Sequence, residues 1–170
     1  TLFNLLGPLA NPALPRWQVL GVYDPQLCVP MARTLQTLGC QSALVVHGSG
    51  LDEIAVHGRT NAALLQNGQV TELVLEPEDC GVRSHFLDTL AGGDATQNAR
   101  WLRDLLAGHG SEAHVDAVAV NAGALLWIAG RCESIRDGSR QATDILRSGK
   151  CLARLQRWTE LSNGFGQNPS

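Results

Sequence analysis

Trp17-Gln18-Val19-Leu20-Gly21-Val22-Tyr23 and Ser42-Ala43-Leu44-Val45-Val46-His47 decide the fold. Both runs are short and mostly apolar on successive residues, the pattern of strands covered on both faces. Asp24-Pro25 follows the first run as a helix N-cap with proline at the first helical position. Leu27, Met31, Leu35 and Leu38 then recur at spacings of four, four and three, which gives a helix one apolar face. Pro30 is expected to bend that helix and Gly39 to end it. Strand, helix, strand at this length is a βαβ unit, so the two strands are expected to run parallel. Gly48-Ser49-Gly50-Leu51-Asp52-Glu53 leaves the carboxyl end of the second strand, the edge at which open α/β sheets bind ligands.

Before this unit, the first fifteen residues are apolar but carry Gly7, Pro8, Pro12 and Pro15, which predicts a shaped loop. The chain starts at Thr1 inside that apolar stretch and without methionine, so it is expected to be a piece of a longer protein. After the unit, Ala62 to Gln66 and Gln69 to Leu75 flank Asn67-Gly68, a hairpin signal. Asp94 caps a predicted helix over Ala95 to Ala107. Residues Val115 to Ala129 are apolar all round and predict a central helix. Ile135 to Leu146 and Leu152 to Leu161 predict two more, the first ended by Gly149. One α/β domain is expected over residues 1–161, with a polar tail over 162–170.

The 170 residues are 44% apolar and 17% charged, enough to bury a core and too apolar for a disordered segment. A formal charge of −3 argues against general attraction to nucleic acid or to an anionic membrane surface. No run of eighteen apolar residues is present, so no membrane span is expected. The five cysteines are widely spaced and form no C-x-x-C pair. That spacing predicts free or buried thiols in a reducing, cytoplasmic compartment rather than a disulfide framework or a structural zinc.

Asp52-Glu53 is the best candidate for chemistry. Two adjacent carboxylates on a glycine-flanked loop suit Mg²⁺, which takes oxygen ligands, keeps several waters and is often shared with substrate phosphates. The alternative is that Asp52 caps a short helix and Glu53 is simply solvated. His47, at the end of its strand, reads as a hydrogen-bonded structural residue. His109, His114 and Asp116 match no zinc spacing. Gly92-Gly93-Asp94 lacks the Lys and Ser/Thr of a P-loop and reads as a turn and helix cap. Trp101, Trp127 and Trp158 are assigned to packing. No Gly-x-Ser-x-Gly elbow is present.

Thr1-Leu2-Phe3-Asn4-Leu5-Leu6-Gly7-Pro8-Leu9-Ala10-Asn11-Pro12-Ala13 resembles the signature loop of the anthranilate phosphoribosyltransferase family. Further matches follow in the family's order: Gly21-Val22-Tyr23, Ala43-Leu44-Val45-Val46-His47-Gly48, Gly50-Leu51-Asp52-Glu53-Ile54, Pro77-Glu78-Asp79 and Leu90-Ala91-Gly92-Gly93-Asp94 before Asn98. The resemblance runs from residue 1 to about residue 160. It implies the α/β domain shared with pyrimidine nucleoside phosphorylases, less its first part. The sheet would be mostly parallel, flanked by helices, with an antiparallel hairpin at one side.

The resemblance also implies a reaction of tryptophan biosynthesis. The amine of anthranilate displaces pyrophosphate from C1 of phosphoribosyl pyrophosphate. Asp52 and Glu53 would be Mg²⁺ ligands, and Gly7, Pro8 and Asn11 would lie by the anthranilate channel. No catalytic residue is assigned. The family's helical domain, its Gly-Thr-Gly-Gly-Asp phosphate loop and its anthranilate-facing basic residue have no counterpart in these residues. The chain alone is therefore expected to be inactive, and a homodimer, built in the family mainly through the helical domain, is not expected of it. Two other readings stay open, a pyrimidine nucleoside phosphorylase and a non-catalytic nucleic-acid-binding paralogue. The Asn-Leu-Leu-Gly-Pro loop disfavours the first, and the negative charge with the retained Asp52-Glu53 pair disfavours the second.

Overall fold

The computed structural model describes Gly7, Leu9, residues 11–13 and residues 15–165. Strands β1 (Trp17–Gly21), β2 (Ser42–Gly48), β3 (Thr60–Gln66) and β4 (Gln69–Leu75) form one sheet in that spatial order. The helices are α1 (Cys28–Thr37), α2 (Ala95–Leu106), α3 (Glu112–Ile128), α4 (Ile135–Arg147) and α5 (Lys150–Phe165).

β2 is the spine because every second residue feeds a different layer. Ala43 and Val45 join Leu20, Met31, Ala32 and Leu35 in the layer between the sheet and α1. Leu44 and Val46 join Val120, Ala124 and Ile128 in the layer between the sheet and α3. All four of these β2 side chains are fully buried. A third cluster, with Leu105, Val115, Ala119, Ala142 and Leu146, binds α2 and α4 to α3. Where α3 and α4 cross, Gly123 and Gly138 face each other, and a Cβ on either would lie 2.8 Å from a backbone Cα of the other helix.

The α/β class and the helix-flanked sheet are as expected, but the strand balance differs. Among the described residues β1–β2 is parallel, whereas β2–β3 and β3–β4 are antiparallel, so the sheet is mixed rather than mostly parallel. The reason is the connection after β2: residues 49–59 contain no crossover helix, and a chain that turns straight back can only pair antiparallel. The Asn67-Gly68 turn has both residues at positive φ (52° and 72°), the geometry that matches strand twist in a two-residue hairpin.

Local signals hold elsewhere. Asp24 accepts a hydrogen bond from Gln26 N–H (2.9 Å) and caps a short 3₁₀ turn that leads into α1. Pro30 lies in the first turn of α1, where its missing N–H breaks no intrahelical bond, so the sequence places it too deep when it assigns a bend. Asp94 and Gln97 form a reciprocal capping box at the start of α2. α5 continues past Leu161 to Phe165. Trp158 is 71% exposed and so is no core residue. Among the described residues no helix is long and apolar enough to cross a membrane.

Candidate functional site

The strand β2 ends at Gly48, and the chain reverses at once. Ser49 and Gly50 both have positive φ, Gly48 N–H donates to the Leu51 carbonyl (2.8 Å), and Leu51 N–H donates to the Gly48 carbonyl (3.0 Å). Asp52 and Glu53 follow, both exposed, and then Ile54, Ala55 and Val56 plunge into the core at 2% exposure or less. The acidic pair therefore stands in solvent on a backbone anchored on both sides. It lies at the carboxyl ends of the parallel pair β1 and β2, the edge read from the sequence.

Two strand glycines let that backbone lie down. A Cβ on Gly21, the last residue of β1, would be driven into the Asp52 carbonyl, and one on Gly48 would be 2.6 Å from Ala55 N. Side chains also hold the turn. His47 Nδ1 is 2.9 Å from the Val22 carbonyl and its Nε2 is 3.3 Å from Gly50 N. A carbonyl only accepts and an amide N–H only donates, so Nδ1 carries the proton and Nε2 accepts. Both ring nitrogens are then occupied by backbone, and His47 is the structural residue the sequence suggests. Ala55 N–H donates to the buried Thr60 hydroxyl (3.0 Å), and Ser49 Oγ donates to the Arg59 carbonyl (2.7 Å).

No ion pair among the described residues uses Asp52 or Glu53. No cluster of three or more His, Cys, Asp or Glu suited to a metal exists among them either. Two free carboxylates without a third protein ligand fit Mg²⁺, which completes its shell with water and phosphate oxygens, and do not fit a closed zinc site. Glu53 also borders a cleft of about 550 Å³ lined by Asn98, Trp101, His114, Val118 and Asn121.

The other sequence candidates fall elsewhere. Asn11 Oδ1 accepts from Ala13 N–H (3.0 Å), and Asn11 lines a small cleft with Gln18, Leu38, Gly39 and Cys40, at the amino ends of β1 and β2. The structure thus does not bring Asn11 to the acidic turn. Gly7 is exposed, and Pro8 lies outside the described residues. His109 is exposed, His114 bonds Ser111 Oγ (3.0 Å), and Asp116 pairs with neither. Asp116 instead accepts from His85 Nε2 (2.7 Å) and Arg83 N–H (3.3 Å), and the His85–Asp116 pair is largely buried and was missed by the sequence reading. Gly93 is held by both side-chain atoms of Asn98, which confirms a turn and cap rather than a phosphate loop. Burial pushes the thiols of Cys28 and Cys80 up to about 11, with Asp24 and Asp79 adding to the shift, so neither is a ready nucleophile.

A sheet with helices on both faces and an acidic turn at its carboxyl edge is an α/β domain of the class that binds ligands at that edge. The chain belongs to the glycosyl transferase family, whose a/b domain matches residues 1–152. It is 55% identical over 167 residues to the anthranilate phosphoribosyltransferase of Sorangium cellulosum, covering 98% of this chain and 48% of that protein. It is similar to the crystal structure of anthranilate phosphoribosyltransferase from Thermus thermophilus, with a TM-score of 0.85 and 40% identity over 93% of this chain and 46% of that one. It is also similar to the anthranilate phosphoribosyltransferase of Saccharomyces cerevisiae in complex with PRPP and Mg, with a TM-score of 0.77 and 28% identity over 92% of this chain and 45% of that one. The chain spans about half the length of the relatives it matches.

Proposed function

We propose that this chain is part of an anthranilate phosphoribosyltransferase of tryptophan biosynthesis, and that Asp52 and Glu53 hold the Mg²⁺ that accompanies phosphoribosyl pyrophosphate. The observation that carries this reading is the acidic turn itself: two exposed, unpaired carboxylates on a clamped backbone at the carboxyl edge of β1 and β2. Relatives of the same fold support the choice of substrates, since one of them is described with PRPP and Mg.

When bound, Mg²⁺ neutralises charge on the departing pyrophosphate. Everything else falls to positioning. Asp52 and Glu53 would hold that cation, and the clamped turn would keep the two carboxylates in place while the diphosphate departs. A weak aromatic amine must be brought into line with the ribose carbon, a task of orientation rather than of a strong base. The chain covers about half of its relatives' length, so the reaction is proposed of the complete protein. The chain alone is expected to be inactive.

The test is direct. The complete protein carrying this chain, mixed with anthranilate, phosphoribosyl pyrophosphate and Mg²⁺, should consume anthranilate with equimolar release of pyrophosphate. The isolated chain should do neither. A complete protein that leaves anthranilate untouched overturns the reading.

A further inference from the structure

The central helix α3 is apolar nearly all round, yet it carries Asn121 on the side facing the acidic turn. Asn121 Oδ1 accepts from Ile54 N–H at 3.0 Å. Its Nδ2 donates to the Ile54 carbonyl at 3.1 Å and to the Ala117 carbonyl, one helical turn back, at 2.9 Å. The amide orientation is fixed, because exchanging oxygen and nitrogen would set donor against donor and acceptor against acceptor. One side chain thus engages both backbone groups of Ile54, the residue directly after Glu53. It does so as a neighbouring strand would, across 67 residues of sequence.

Asparagine is a poor helix former, and burying its amide costs free energy unless each polar atom is paired. Here both polar atoms are paired, and two of the three bonds go to the turn. Gly21 and Gly48 only leave room beneath the turn. Among the described residues no other side chain bonds the backbone of Asp52, Glu53 or Ile54.

We propose that Asn121 is a positioning residue for the acidic turn: it fixes the direction in which Asp52 and Glu53 present their carboxylates to a divalent cation. The proposal rests on the metal-binding reading of those two residues. It adds that the affinity of the site is set from the central helix, not by the loop alone.

The test uses the complete protein, with Mn²⁺ and inorganic pyrophosphate as probes in an EPR titration. Asn121→Ala, and the milder Asn121→Ser, whose hydroxyl cannot span both Ile54 atoms, should weaken Mn²⁺ binding by about tenfold to a hundredfold. Without metal, the Ile54 amide should exchange its hydrogen faster in both. In turnover, the KM for Mg²⁺ should rise while kcat at saturating Mg²⁺ changes little. Leu146→Ala, which thins the α2–α4 cluster, should lower Tm and leave Mn²⁺ affinity alone. An Asn121 variant that folds and binds Mn²⁺ as the natural protein does overturns the proposal. The doubly substituted Asp52→Ala, Glu53→Ala protein separates the two levels. If it retains full Mn²⁺ affinity, the metal reading itself fails; if it loses affinity and the Asn121 variants do not, only the positioning role fails.

Discussion

Replacing Gly21 by alanine tests the geometry of the site with a single methyl group. The added carbon would be driven into the carbonyl of Asp52 and would sit 3.1 Å from its Cα. Comfortable contact between carbons begins at about 3.5 Å, and the Asp52 carbonyl carbon lies much closer than its Cα, so the turn must retreat by roughly an ångström or more. The obstacle is backbone, with no rotamer to swing away. The cost therefore belongs near the top of the overpacking range, about 3 kcal/mol. A Gly→Ala change gains only about 0.4–1 kcal/mol from the stiffer unfolded chain, too little to offset this. The function should suffer more than the stability, since a displacement of about 1 Å in a positioned group can cost about a hundredfold in rate. The assay is thermal unfolding beside kcat/KM for the complete protein, with Gly68→Ala as control. Gly68, unlike Gly21, has positive φ (72°), but a Cβ there meets nothing within 4 Å, so only local strain of about 1–2 kcal/mol is expected, with kcat/KM unchanged. A Gly21→Ala protein with unchanged Tm and kcat/KM would show that the turn does not lie on β1 as described, and the reasoning would fail.

Three further outcomes are expected. Asp116→Ala leaves Arg83 N–H and the His85 ring without their acceptor, which should cost about 1–3 kcal/mol in urea unfolding; no loss would mean the pair is not formed. Asp94→Ala removes the capping box of α2 and should cost about 1 kcal/mol, measured the same way, without affecting turnover. The thiols of Cys28 and Cys80 are held protonated to about 11 in the folded chain, against an ordinary 9.0. Their stabilising contribution is full below pH 9 and is lost as pH rises towards 11, because the unfolded thiols ionise first. Each should steepen the alkaline fall in stability by up to about 1.4 kcal/mol per pH unit, and Cys80→Ala should make the slope shallower. An unchanged slope would contradict the burial of that thiol.

Which features could be read from sequence follows from how local their physics is. The strand β2 announces itself because it is covered on both faces, so its central residues Ala43, Leu44, Val45 and Val46 are all apolar. Asn67-Gly68 and Asp94 declare a hairpin and a cap because the cause lies within a few residues of the effect. The acidic pair was visible as a glycine-flanked carboxylate pair at a strand end. What holds it was not. Gly21 reads as one more strand residue until Asp52 is seen lying across it. Asn121 sits 67 residues from Ile54, and His85 sits 31 residues from Asp116, and no periodicity links either pair. The mixed sheet depends on a connection of no regular structure, where the crossover rule has nothing to act on. The roles of Gly7, Pro8 and Asn11 rest on resemblance alone, and Leu9 and Asn11 lie by the opposite end of the strands.

The proposed function stands or falls with a divalent cation seated between the turn after β2 and a diphosphate. Crystals of the complete protein soaked with Mn²⁺ and pyrophosphate, measured near the manganese absorption edge, test it most directly. An anomalous peak is expected within about 2.1–2.2 Å of carboxylate oxygens from Asp52 or Glu53, with pyrophosphate oxygens completing the shell. A fully occupied manganese site elsewhere, with both carboxylates facing only solvent, would contradict it.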